Sequence, residues 1–446
     1  MAHPADREIV RLAWPAFLAL VAEPLFLLAD AAIVGHLGTP QLAGLGIAAV
    51  VLQTVVGLCV FLAYGTTSSV ARHLGAGDLR GALAQGVDGL WLAVLIGVLA
   101  SAAGVVLTDP LVAAFGAGAE VSDYAATYLR IAFLGVTPLL LMLAATGVLR
   151  GLQDTRTPLV VAVLGNVLNV VLNLLLVYGV DLGIAGSALG SVLAQVASAA
   201  ALVLVVVRGA RRQHASLRPD RPGIAAAARA SVALFVRTLT LRAALLVTTY
   251  AVVLVSTRSG DRDSSVSVAT HQLAFTIWTF LAFILDAIAI AAQAITGRYL
   301  GAGDVAATRE VTRRMIQWGL VGGAVLGLAT IAAAPVVGRL FTEDPAVRAL
   351  LVPVLVVVGL SQPLCGLVFV LDGVLIGAGD GTYLAKAGAL VLAVYAPVVL
   401  AVAAVAPGLV WIWLTFTVVL MGARAVVLVR RERGDAWLVT GLRTRA

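Results

Sequence analysis

Long apolar stretches separated by short polar turns run through the whole chain. Twelve of these stretches are long enough to cross a bilayer, since a membrane-spanning α-helix needs about 20 mostly apolar residues. The breaks carry turn-forming residues, as in Gly38-Thr39-Pro40. The predicted spans lie near residues 9–34, 42–71, 86–107, 126–148, 158–179, 184–207, 234–256, 267–297, 315–336, 347–376, 384–405 and 408–429.

The composition supports a protein embedded in lipid. Of the 446 residues, 61% are apolar and 12% are charged, whereas a typical soluble domain has about 25% charged residues. So many apolar residues cannot all be buried in a water-soluble core, which excludes a soluble enzyme, a nucleic-acid-binding protein and a disordered tail. Cys59 and Cys365 lie in apolar stretches and predict neither a disulfide framework nor a metal cluster. We therefore predict an all-α polytopic membrane protein with twelve transmembrane helices and no cofactor.

The distribution of Lys and Arg predicts the orientation in the membrane. If both termini lie inside, only five of the 30 basic residues fall outside, and basic residues concentrate in cytoplasmic loops. The formal charge of +7 is therefore interpreted as a topology signal. We predict a multi-pass protein of the cytoplasmic (plasma) membrane with cytoplasmic N- and C-termini. The outer basic residues are Arg130, Arg258, Arg262, Arg339 and Arg348.

The two halves of the chain match each other at a fixed offset. The run RHLGAGD at 72–78 aligns with RYLGAGD at 298–304, and GVLRG at 147–151 aligns with GVLIG at 373–377. Each half holds six spans, an even number, so both halves face the same way and form a parallel repeat of two six-helix lobes. We predict an N-lobe at 1–207, a basic cytoplasmic linker at 208–230 and a C-lobe at 231–446.

The first span carries two acidic residues on one helix face. Glu23 and Asp30 are seven residues apart, nearly two helical turns. Burial and mutual repulsion favour protonation of at least one of them near neutral pH. For Asp30, a capping or snorkelling position at the outer interface is the alternative. Pro15 and Pro24 lie in the same span and are predicted hinges.

Other spans carry polar residues at helical spacing. Asn166, Asn169 and Asn173 place three amides on one face of the fifth span, which predicts that this face contacts other helices or a wet cavity. Interhelical packing alone is the alternative. Asp372 lies near the inner end of the tenth span, where a loop or cap role fits as well as a functional one. The predicted substrate cavity is lined by Asn166, Gln53, Tyr64, Gln272, Thr276, Thr279 and Asp286.

These patterns together resemble the multidrug and toxic compound extrusion (MATE) family. The resemblance covers essentially the whole chain and rests on DAAIVGHLG at 30–38, the Gly-Ala-Gly-Asp loops of both halves and GNVLN at 165–169. The segments LDA at 285–287 and LDG at 371–373 point to the DinF-like branch. The resemblance implies two six-helix lobes, a V-shaped cavity and cation-coupled antiport by alternating access. It also implies substrates that are mostly organic cations and amphiphilic compounds, with organic acids in some members.

The resemblance also assigns the coupling site. Asp30 matches an acid of the family's first helix, and Asn169 matches an asparagine of its fifth helix. Related members often carry an Asp four residues after that asparagine, where this chain has Asn173, which cannot titrate. We therefore hypothesise that Glu23 supplies the second carboxylate, which gives a cation- or proton-coupling site of Asp30, Glu23, Asn169 and Asn173 without a metal.

The leading interpretation is a monomeric, proton-coupled exporter of a small molecule. Its other predicted partner is membrane lipid, and we predict no nucleic-acid partner. Protonation of Asp30 with Glu23 would weaken cation binding and let the first helix bend, so proton and substrate would compete. Sodium is the alternative coupling ion, because carboxylate and amide oxygens suit a hard cation. An organic-acid or metabolite exporter of the same fold is a further alternative. A lipid-linked precursor flippase is disfavoured because the charges at mid-depth are acidic, and no enzyme motif such as His-Glu-x-x-His is present.

Overall fold

Twelve membrane-length helices make up most of the described chain. The computed structural model describes residues 4–257, 261–405 and 408–442, and these ranges contain no β-strand. Each helix is long and apolar enough to cross a membrane. Helices α1–α12 span Ala5–Gly35, Thr39–Gly75, Leu79–Val106, Ala119–Gly151, Arg156–Gly179, Gly183–Arg212, Arg221–Ser256, Ser265–Gly301, Val305–Phe341, Pro345–Gly377, Gly381–Val405 and Leu409–Arg433.

The twelve predicted spans are confirmed, and most helices extend beyond their apolar stretches. Helix α7 begins at Arg221 rather than near residue 234, and α9 begins at Val305 rather than near 315. An apolar stretch marks only the part of a helix that contacts lipid, whereas backbone hydrogen bonding continues the helix into the polar interface. Because α6 ends at Arg212 and α7 begins at Arg221, most of the predicted linker at 208–230 is helical.

Several helices are irregular at defined points. A turn at Cys59 interrupts α2, and a 3-10 turn at Phe133–Gly135 interrupts α4. Helices α5 and α12 contain π-helical turns at Leu175–Gly179 and Phe416–Met421. Such turns are frequent at functional sites, and the one in α5 follows directly after the asparagine face.

The chain divides into two compact units. We call Trp14–Val232 with Gly301–Gly303 the N-terminal unit, which holds most of α1 and all of α2–α6. The C-terminal unit consists of the described residues within Met1–Ala13, Ala233–Leu300 and Asp304–Ala446. The start of α1 thus belongs to the second unit, where Asp6 accepts hydrogen bonds from Arg314 (Nε–Oδ1, 2.6 Å) and Trp318 (Nε1–Oδ1, 2.8 Å).

Four turns between helices share one backbone geometry, and they lie at matching positions of the two halves of the internal repeat. In each turn a residue in the left-handed region is followed by an Asp whose backbone N–H donates to the carbonyl five residues earlier, which closes the preceding helix. Gly77 and Gly303 have φ values of 76° and 78°, and Gly379 has 72°. Gln153 adopts the same region with φ 66° although it is not a glycine. The Asp N–H bonds are Asp78 to His73, Asp154 to Leu149, Asp304 to Tyr299 and Asp380 to Leu375.

Three of these Asp residues also accept a hydrogen bond from a backbone N–H at the start of the next helix, and for Asp154 the donors are Arg156 and Thr157, both at 3.0 Å. Asp78 Oδ1 accepts from the Gly81 backbone N–H at 2.7 Å, and Asp304 Oδ1 accepts from that of Ala307 at 2.8 Å. The Gly81 bond, followed by the His73 ring at 3.1 Å, holds the pKa of Asp78 below its usual value. The repeated Asp therefore ends one helix with its backbone and begins the next with its side chain.

Helices α9 and α10 pack closely along a glycine seam. Gly319, Gly323 and Gly327 are spaced four residues apart on one face of α9. A Cβ atom at Gly323 would lie 2.3 Å from the Gln362 carbonyl oxygen, and one at Gly327 would lie 2.3 Å from that of Gly359. Backbone atoms cannot move aside as a flexible side chain can, so this close approach requires glycine.

The C-terminal unit buries a cluster of charges on three helices. Asp372 lies inside α10, five residues before its end at Gly377, and accepts hydrogen bonds from Arg237 of α7 and Arg424 of α12. A loop or cap role for Asp372 is therefore wrong. Two of these three buried charges are arginines.

Candidate functional site

Asp30 lies at the centre of a buried hydrogen-bond network in the N-terminal unit. Its side chain is almost completely enclosed, with 3% of the residue exposed. Oδ1 accepts from Asn173 Nδ2 at 2.8 Å and from Ser187 Oγ at 2.5 Å, and Oδ2 accepts from the Tyr128 hydroxyl at 3.1 Å. Three donors thus converge on one carboxylate. This arrangement does not fit the alternative of a cap or a snorkelling side chain at the interface.

The asparagine face of α5 supplies one side of this network. Asn169 and Asn173 are four residues apart, so their side chains stack on one helix face. Asn173 Nδ2 also donates to Asn169 Oδ1 at 3.3 Å, and Asn169 Nδ2 donates to Ser191 Oγ at 2.9 Å. The structure therefore brings Asp30, Asn169 and Asn173 together, with Asn169 acting through Asn173 rather than on the carboxylate.

Sequence reasoning missed three members of the network. Tyr128 comes from α4, and Ser187 and Ser191 come from successive turns of α6. A signal for the serines exists in the two Gly-Ser pairs four residues apart at 186–187 and 190–191. For Tyr128 no such signal exists, because its role depends on how α4 packs against α1.

The glycines of those pairs let α6 approach α5. A Cβ atom at Gly186 would lie 2.7 Å from the Leu176 carbonyl oxygen, and one at Gly190 would lie 2.1 Å from Asn173 Oδ1. Small residues at such an interface permit hydrogen bonding between helices. The close packing places Ser187 within reach of a carboxylate on α1.

Two further hydrogen bonds connect α5 to the backbone of α1. Asn166 Nδ2 donates to the Ala22 carbonyl at 2.9 Å, and the Tyr178 hydroxyl donates to the Ile33 carbonyl at 2.6 Å. Pro15 and Pro24 both lie inside α1, which remains one helix through them. Glu23 is part of α1, but its side chain lies outside the described residues, so its predicted place beside Asp30 stays a prediction.

The other predicted cavity residues lie on partly open faces of their own units. In the N-terminal unit, Gln53 is exposed and Tyr64 is half-buried. In the C-terminal unit, the Thr276 and Thr279 hydroxyls donate to carbonyl oxygens of their own helix, those of Gln272 and Phe275. Gln272 and Thr276 are exposed, whereas Thr279 and Asp286 are half-buried.

A single buried carboxylate can take up one proton, and its three hydrogen-bond donors mean that this uptake changes the network. In the ionised form Asp30 only accepts, so all three donors are satisfied. In the protonated form one oxygen must donate, so at least one present contact has to change. Within the described ranges, no group of three or more His, Cys, Asp or Glu side chains lies close enough to hold a metal ion.

The sequence and the fold of this chain are similar to those of known proteins. The MatE family profile matches residues 15–175 and 241–405, one segment in each half. Protein DETOXIFICATION 44, chloroplastic, of Arabidopsis thaliana is 30% identical over 84% of this chain and 72% of its own length. DNA damage-inducible protein F of Escherichia coli (strain K12) is 27% identical over 97% and 94% of the two chains. The crystal structure of the Vibrio cholerae MATE transporter VcmN in the bent form has a TM-score of 0.86 and 22% identity, and covers 97% of this chain and 98% of its own.

Proposed function

Since the chain belongs to the MatE family of multidrug and toxic compound extrusion transporters, we propose that it exports organic cations or amphiphilic compounds in exchange for protons. Membership confirms the resemblance drawn from the sequence, and DNA damage-inducible protein F is among its relatives. The protein is thus a multi-pass membrane transporter and not an enzyme. The coupling ion and the substrate class are our proposals.

The proposal rests on one observation, the enclosure of Asp30 by three hydrogen-bond donors. Uptake of a proton removes the negative charge and turns an acceptor oxygen into a donor. Asn173 Oδ1 is buried and accepts no hydrogen bond in the described structure. Rotation of that amide would present Oδ1 to protonated Asp30 and withdraw Nδ2, so Asn173 would respond to the proton without titrating itself.

A change at Asp30 would act on α1 through its attachments to α5. Asp30 lies on α1 between Ala22 and Ile33, whose carbonyls bond Asn166 and Tyr178. Weakening the Asn173 bond would leave the two outer bonds, from Asn166 and Tyr178, as the hydrogen bonds between the described side chains of α5 and α1. Proline removes one backbone hydrogen bond of a helix and allows it to bend, so we propose that α1 bends at Pro15 or Pro24 when Asp30 is protonated. Alternating access would follow from two such states of α1.

Antiport follows from competition between proton and substrate for the charge of Asp30. An organic cation binds better while the carboxylate is ionised, and a proton neutralises it. Sodium is the alternative coupling ion, because the Ser187 and Tyr128 hydroxyls and the Asn173 amide that contact Asp30 also carry oxygen atoms that can bind a hard cation. We also propose cytoplasmic termini in a cytoplasmic membrane, on the distribution of basic residues.

The experiment that tests the proposal compares two ion gradients on the full-length protein in liposomes. We expect a cationic dye such as ethidium to accumulate when the lumen is more acidic than the medium, and a protonophore to abolish the uptake. A sodium gradient of equal size, at equal pH on both sides, should drive none. Uptake driven by sodium alone would contradict proton coupling, and no response to either gradient would contradict antiport of cations.

A further inference from the structure

A basic cavity lies beside the start of α1 in the C-terminal unit. Its wall consists of the charged side chains of Arg7, Glu8 and Arg11 of α1 and Arg298 of α8. The cavity has a volume of about 320 Å³ and opens to the surroundings, and pockets for small ligands measure about 300–1,000 Å³. The cavity is therefore large enough for a ligand, and the proposed export mechanism uses none of its residues.

The acidic residue of this wall is already paired. Arg298 Nη2 donates to Glu8 Oε1, and the Tyr299 hydroxyl donates to Glu8 Oε2 at 3.3 Å. The Arg298 guanidinium also lies 5.0 Å from the centre of the Tyr299 ring. The side chains of Glu8 and Arg298 are 14% and 29% exposed. This pair therefore forms a neutral side of the cavity that is held in place by its own contacts.

The other two arginines leave the cavity positively charged. Arg7 and Arg11 are exposed, and the neighbouring acids Asp6 and Glu8 are paired with other arginines of the described chain. Because they are four residues apart, Arg7 and Arg11 lie on one face of α1, where like charges repel each other. Arg7 also lies in the first turn of the helix, whose free N–H groups carry partial positive charge. An anion bound here would relieve this repulsion.

The depth of the cavity in the membrane identifies the anion. The apolar stretches of α1 and α8 cover residues 9–34 and 267–297, and all three arginines of the wall lie within two residues of an end of these stretches. Phospholipid phosphate groups meet the hydrocarbon at this level, and basic pockets between membrane helices bind anionic head groups. Val10, three residues after Arg7, is 45% exposed and offers contact to an acyl chain. A lipid phosphate therefore fits the cavity better than a phosphate dissolved in water.

We propose that this cavity binds the phosphate group of an anionic phospholipid. The guanidinium groups of Arg7 and Arg11 contact the phosphate as planar forks of N–H donors, and Glu8 holds Arg298 beside them. A zwitterionic lipid fits less well, because its quaternary ammonium group would meet the arginines while the Glu8 carboxylate is already engaged. The site goes beyond the proposed proton-coupled export, because binding here needs neither Asp30 nor an ion gradient.

Lipid binding to the purified full-length protein in a neutral maltoside detergent tests the proposal. The probes are fluorescent phosphatidylglycerol and phosphatidylcholine with identical acyl chains, and glycerol 3-phosphate is a competitor that lacks acyl chains. The variants are Arg7→Gln and Arg11→Gln, which should fold because both side chains are exposed. Arg430→Gln is the matched control, since Arg430 is an exposed arginine near the end of α12 and is not part of the wall.

We expect the wild type and Arg430→Gln to bind phosphatidylglycerol equally. Each cavity variant should bind it about tenfold or more weakly, as loss of a charge-assisted hydrogen bond predicts, and phosphatidylcholine should bind the wild type weakly by the same measure. Equal binding of phosphatidylglycerol by the wild type and both cavity variants would overturn the proposal, as would equal binding of the two lipids to the wild type.

Two further results would also overturn it. A loss in Arg430→Gln as large as that in the cavity variants would show attraction to the basic surface as a whole rather than to this cavity. Displacement of phosphatidylglycerol by an equal concentration of glycerol 3-phosphate would show a site for a free phosphate ester rather than for a lipid.

Discussion

Replacement of Asp30 by Asn is expected to reduce proton-driven export of a cationic dye to the level of passive leak. Asn keeps the size of the side chain and an oxygen that accepts from Asn173 or Ser187, so the fold should persist. It carries no charge for the substrate and cannot take up the coupling proton. Loss of a coupling free energy of about 1–3 kcal/mol corresponds to a fall of roughly 5- to 150-fold. The measurement is the initial rate of dye uptake into acid-loaded liposomes, corrected for reconstituted protein.

Two further variants make this result specific. Asp109→Asn removes an exposed carboxylate of the same unit that pairs with Arg130, and it should transport at the wild-type rate. Glu23→Gln tests the hypothesis of a second carboxylate on α1. Unchanged proton-driven export by Glu23→Gln would refute that hypothesis and leave Asp30 as the coupling group alone. If Asp30→Asn transports as fast as Asp109→Asn, Asp30 is not the coupling residue.

Replacement of Asn173 by Leu is expected to lower both stability and transport. The leucine removes a donor from Asp30 and a partner from Asn169. A buried polar group left without a partner costs about 1–3 kcal/mol. We also expect the transport rate to fall about tenfold or more, because the group that responds to the proton is lost. The measurements are the melting temperature of the purified protein and the uptake rate in liposomes.

The control for Asn173→Leu is Tyr178→Phe. This variant removes another hydrogen bond from α5 to α1, the one to the Ile33 carbonyl, without touching Asp30. It should lower the melting temperature slightly and leave proton-driven uptake in place. Equal losses of transport in both variants would show that attachment of α1, and not the response of Asn173 to Asp30, limits the cycle.

The helices and part of the Asp30 network could be predicted from the amino-acid sequence alone. Span length and apolar content define the twelve helices, and helical periodicity places Asn169 and Asn173 on one face. Asp30 stands out because an acid in an apolar span requires a reason. These features are local, so a linear reading of the sequence suffices for them.

The remaining features depend on packing between helices or on where helices end. Tyr128 reaches Asp30 only because α4 packs against α1. Arg237 lies close to the predicted start of its span near residue 234, so the sequence assigns it to the inner basic residues, yet α7 begins at Arg221 and carries Arg237 well inside the helix. Arg424 likewise lies nine residues before the end of α12 at Arg433. The buried contacts of Arg237 and Arg424 with Asp372 therefore become visible only with the helix bounds and the packing of the three helices.

A proton and an organic cation are expected to compete for Asp30, and proton release on substrate binding tests this competition most directly. A pH indicator in a weakly buffered solution of the purified protein reports the protons released as a cationic substrate is added, at several pH values from acidic to neutral. We expect a release that approaches about one proton per bound cation in the wild type and none from Asp30→Asn. Tight binding of the cation without proton release, or equal release from Asp30→Asn, would contradict it.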